Sequence, residues 1–94
     1  MKTVILDSDR IESFDDIHAA FASALDFPDY YGANLDALHD MLTERTDPTG
    51  VIVIGEKALK EKLGTRFSVL LRLLNATAKE RKGLYIAVDP FGKI

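Results

Sequence analysis

Asp36, Asp40 and Glu44 recur at i, i+4 and i+8, the spacing that lines side chains along one helical face. His39 stands next to the middle acid, and Tyr30, Tyr31 and Gly32 come shortly before the row. Carboxylates at such spacing can do acid–base work, but only when burial drives their pKa values apart. An exposed helical row implies no cleft. Metal binding needs converging ligands, yet His39 and Asp40 are i, i+1 neighbours that diverge on a helix. The other histidine, His18, belongs to a different segment. The remaining chemistry is electrostatic: a fixed anionic surface flanked by aromatics, suited to a cationic protein partner. The plainer alternative is a solvated helix face with the tyrosines folded into the core.

The row is costly to a helix, which makes it informative. Like charges at i, i+4 oppose helix formation by roughly 0.2–0.5 kcal/mol per pair. Asp36 falls in the first turn, where the helix dipole favours an anion, whereas Asp40 falls where the dipole disfavours one.

Elsewhere the sequence offers little chemistry. The six glycines are scattered singly, so there is no phosphate-cradling loop. Ser8, Ser13, Ser23 and Ser68 show neither a nucleophile elbow nor a base at useful spacing. With no cysteine there is no disulfide framework, thiolate site or cysteine nucleophile. No enzymatic activity, cofactor or metal is expected. The basic run Lys79-Glu80-Arg81-Lys82 is interrupted by an acid and is explained by the dipole of a helix C-terminus. His18 lies beside an apolar stripe, where a satisfied, partly buried histidine is expected.

The acidic row must be positioned by a turn and a helix. Pro28 restricts Phe27 and stops the preceding helix. Gly32 can supply φ > 0, Asn34 is a suitable N-cap, and Leu35, Leu38 and Leu42 give the following helix an apolar face. Upstream, Thr3–Leu6 has the composition of a strand. Ser13 with Asp16 three residues on makes a capping-box variant before the stripe Phe14, Ile17, Phe21, Leu25.

Downstream, residues 43–50 form a loop, and Val51–Ile54 is an uninterrupted Val/Ile run suited to a central strand buried on both faces. Glu56–Leu63 is a short helix stopped by Gly64. Thr65 caps a longer helix with the stripe Phe67, Leu70, Leu71, Leu74, Ala78. Leu84–Val88 is a third strand, broken by Asp89-Pro90-Phe91-Gly92. Strands separated by helix pairs require crossovers, hence a parallel sheet in an α/β domain.

Ninety-four residues, 47% of them hydrophobic and 29% charged, fit one globular domain spanning 1–94. No apolar run is long enough to span a membrane, and MKTVILDSDR lacks the pattern of a signal peptide, so the cytoplasm is expected. The net charge of −3 disfavours direct nucleic-acid binding and favours a basic partner.

The stretch PDYYGANLDALHDMLT from Pro28 to Thr43 closely resembles the central segment of the barstar family of ribonuclease inhibitors. Weaker similarity extends over nearly the whole chain. The resemblance implies a three-stranded parallel sheet in order 1-2-3, packed with about four helices. It also implies a monomeric inhibitor of a basic secreted ribonuclease, or of another toxin with a cationic cleft. Its partner-binding residues would be Tyr30, Tyr31, Gly32, Asn34, Asp36, His39, Asp40 and Glu44, with Asp40 where the substrate phosphate sits. The chain departs from the family's best-known member at His39 and Arg45, where that protein has tryptophans. It departs too at Ala33 for glutamate, Glu44 for glycine and Asn75 for an acid. A rival reading keeps the fold in a non-inhibitory binding or dimerising regulatory module. In that case the acidic helix would be buried in a two-fold interface.

Overall fold

The computed structural model describes residues 1–91. Its order is β1 (Lys2–Asp7), α1 (Phe14–Leu25), α2 (Leu35–Glu44), β2 (Thr49–Ile54), α3 (Glu56–Leu63), α4 (Thr65–Glu80) and β3 (Leu84–Val88). The strands form one parallel sheet in order β1-β2-β3, with Val4 opposite Val51 and Val51 opposite Ile86. The expected α/β architecture with four helices is therefore the observed one.

In a sequential parallel order every right-handed crossover runs over the same side of the sheet. Val4, Leu6, Val51, Val53 and Leu84 are buried on that side, while Ile5 and Tyr85, which alternate to the other side, are exposed. The expectation that the central strand is buried on both faces is met on one face only. Ile52 and Ile54 are half-buried because the helices all lie opposite them. The strand also starts at Thr49 rather than Val51, because Thr49 and Gly50 already pair with Lys2 and Thr3.

Local signals set most boundaries. The Ser13 hydroxyl accepts from the Asp16 N–H, and the Asp16 carboxylate accepts from the Ser13 N–H, closing the capping box of α1. Its stripe Phe14, Ile17, Phe21 and Leu25 is wholly buried. α1 ends at Leu25 with Asp26 in the left-handed region, just ahead of Pro28. Gly64 (φ 68°) closes α3 and also serves as the N-cap of α4, so Thr65 is the first helical residue and not the cap.

Within α4 the buried face is Phe67, Leu70, Leu71, Leu74 and Thr77, with Ala78 only half-buried. The Thr77 hydroxyl satisfies itself by donating to the Leu73 carbonyl at 2.7 Å. Asp89, after β3, accepts from the Gly55 and Glu56 N–H groups at 2.7 and 3.3 Å and so caps α3 from a distant segment. Gly92 of the expected terminal turn lies outside the described residues. Among the described residues no helix is long and apolar enough to cross a membrane.

Candidate functional site

The acidic helix is anchored from below and at both ends. Leu38 and Leu42 are completely buried and Leu35 partly so, which turns the opposite face outward. At the N-terminus the Asn34 Oδ1 accepts from the Ala37 N–H at 2.8 Å, as expected of an N-cap. Gly32, however, does not take φ > 0; Ala33 does, at 50°. The need for glycine at 32 is one of space. A Cβ there would lie 3.2 Å from the Asn34 Nδ2, crowding the capping side chain.

The C-terminal end is held by a network that sequence reading missed. Arg45 donates to the Leu25 carbonyl at 2.8 Å and forks onto the Asp47 carboxylate at 3.0 and 2.7 Å. Arg81, buried at the end of α4, donates to the carbonyls of Arg45 and Asp47. The Arg45 hydrogen bond holds the Asp47 carboxyl below the usual carboxylate range. Arg81 thus joins the end of α4 to the α2–β2 loop, a role beyond the dipole compensation expected of its basic run. The signal present in the sequence was the fork-capable pair Arg45 and Asp47 just before Pro48.

On this frame Asp36, Asp40 and Glu44 are all exposed, with the Asp40 side chain 70% accessible. The two tyrosines part ways. Tyr30 is 82% exposed. Tyr31 turns inward, edge-on to Phe27 with ring centroids 4.8 Å apart, and its hydroxyl lies 2.6 Å from the His18 Nδ1. Burial pushes the Tyr31 hydroxyl up to about 12 and pulls His18, only 6% exposed, below its ordinary value. The neutral His18 ring and the un-ionised Tyr31 hydroxyl therefore share one hydrogen bond. This pair fastens the Tyr-Tyr-Gly loop to α1. His18 is the satisfied, buried histidine that its place beside the stripe implied. Tyr31 shapes the loop rather than offering a free hydroxyl.

His39 lies on the flank of the acidic face that meets α4. Its Nε2 is 3.0 Å from the Glu80 Oε2, and its Nδ1 is 3.7 Å from the Asp40 Oδ1. Glu80 thereby joins the acidic surface from α4, although nothing in the local pattern associates it with α2. Of the expected partner-binding residues, Tyr30, Gly32, Asn34, Asp36, Asp40 and Glu44 are exposed and His39 is half-buried. Asn75 is exposed on α4.

A family model described as Barstar (barnase inhibitor) matches residues 1–89. A Bacillus subtilis (strain 168) protein named "Putative ribonuclease inhibitor YrdF" is 34% identical over 83 residues, which cover 87% of this chain and 91% of that relative.

Proposed function

The chain belongs to the barstar family, and from that premise we propose that it is a cytoplasmic, immunity-type inhibitor that occupies the cationic active-site cleft of a secreted bacterial ribonuclease. A cleft built for phosphate is lined by cations, so a rigid row of carboxylates can enter it without offering a scissile bond. Asp40 takes the phosphate position, flanked by Asp36, while Tyr30 and the Gly32–Asn34 turn cover the rim.

The observation that carries this reading is the contrast across α2. One face is locked into the core by Leu38 and Leu42, both ends are tied down, and the other face exposes three carboxylates. A surface ordered before binding loses little conformational freedom on docking. The same row argues against a dimerising module. A two-fold interface sets each patch against its own copy, acid against acid, and like charges so placed are repulsive.

Ala33, His39, Glu44 and Asn75 tune which ribonuclease is accepted, because mismatched rim charge rejects partners as effectively as matched charge attracts them, whereas Arg45 is spent on Asp47 and the Leu25 carbonyl. The test is titration of barnase with purified protein while RNA hydrolysis is followed. Stoichiometric loss of activity is expected, and undiminished hydrolysis at a large molar excess would exclude barnase as a target.

A further inference from the structure

His39 is placed to do more than fill the rim. Its ring sits between two carboxylates from different elements, Asp40 on its own helix and Glu80 on the packed helix α4. Among the described residues these are the charged groups paired with it, and its side chain is 33% exposed. When the ring is neutral, Nε2–H donates to the acceptor-only Glu80 carboxylate, and the Nδ1 lone pair faces Asp40. Asp40 is then free to meet a partner. Adding a proton at Nδ1 places a positive charge 3.7 Å from the Asp40 Oδ1, within ion-pair range. The imidazolium then bridges Asp40 and Glu80, neutralising one unit of the negative surface at its centre. Histidine is the side chain whose ordinary titration spans pH 5 to 8.

On the inhibitor reading above, we propose that His39 is a specificity-determining residue that couples capture of a cationic cleft to its own deprotonation. An incoming cation and the Nδ1 proton compete for the Asp40 carboxylate. When the cation wins, the N–H bond at Nδ1 breaks and the proton passes to buffer, while the Nε2–H bond to Glu80 is retained. Binding therefore strengthens as pH rises through the histidine range and weakens on acidification. The linkage involves one proton, so the affinity changes by no more than about tenfold per pH unit.

The experiment is calorimetric titration of barnase with the parent protein and His39→Gln at pH 5.5, 6.5 and 8, in buffers of different ionisation enthalpy. Histidines on the enzyme contribute equally to both titrations and cancel in the comparison. The parent is expected to lose affinity on acidification by up to about tenfold per pH unit more than His39→Gln. At pH 5.5 it should release more protons per complex than His39→Gln, by at most one. Parallel pH profiles for parent and His39→Gln overturn the coupling while leaving the inhibitor reading intact. Absence of parent binding at pH 8 instead removes the inhibitor reading for barnase and the coupling with it.

Discussion

Asp40→Asn separates folding from function most cleanly, because it keeps the shape of the side chain and removes only its charge. In the free protein the carboxylate is 70% accessible, and among the described residues the His39 ring, 3.7 Å away, is the basic group within ion-pair range of it. An exposed pair of that kind contributes roughly 0–1 kcal/mol. Against it stand repulsions from Asp36 and Glu44, one turn away on either side, which together cost roughly 0.4–1 kcal/mol. The two effects have opposite signs and similar size. Folding stability should therefore change by less than about 1 kcal/mol, with a shift in Tm of at most about 4–8 °C. Binding is a different matter. On the inhibitor reading Asp40 would face desolvated cations in the complex, and neutralising it would leave those charges buried and unpaired, an effect for which the barnase–barstar pair is itself the reference case. The loss should reach at least about 2 kcal/mol, roughly a thirtyfold rise in Kd. Urea denaturation of the variant and inhibition titration against barnase together decide the matter. Parent-level inhibition by Asp40→Asn would refute the phosphate-site mechanism, and a large stability loss would show Asp40 to be a structural residue.

Other measurements probe the frame. Tyr31→Phe keeps the packing on Phe27 but strands the buried His18 Nδ1, and should lower stability by about 1–3 kcal/mol in urea melts; an unchanged midpoint would mean the loop is not fastened there. His18 binds its proton less readily folded than unfolded, so its contribution to stability is complete above its unfolded value of about 6.5 and is lost as pH falls below it. Denaturation midpoints at pH 7.5 and 5 should show this slope in the parent and not in His18→Gln, and an identical slope in both would reject the assignment. Ala33→Gly relieves a left-handed conformation at φ 50° and should stabilise by up to about 1 kcal/mol; a drop in Tm would contradict that φ. Association with barnase, followed by stopped flow, should slow markedly with added salt, because steering is screened over about 8–10 Å. An on-rate indifferent to salt would count against an electrostatic approach.

Residue patterning alone determined the succession of elements, the helix stops at Pro28 and Gly64, the capping box at Ser13 and the N-cap at Asn34. These signals act within a turn or two of the chain, through backbone sterics and i, i+3 or i, i+4 contacts, so they can be read without knowing what packs where. The acidic row was legible for the same reason, being a helical period. The 1-2-3 strand order came from family resemblance, since crossover rules require parallel strands but leave their order open. The structure decided which of two adjacent tyrosines turned inward, because that depends on where α1 presents His18, 13 residues away. It also moved the positive φ from Gly32 to Ala33, where the path of the loop into the Asn34 cap required it. The pairings of His39 with Glu80 and of Arg81 with the Arg45 and Asp47 carbonyls span 41, 36 and 34 residues. They arise from how α2 and the loop after it lie against α4, and local periodicity carries no information about the relative placement of two helices.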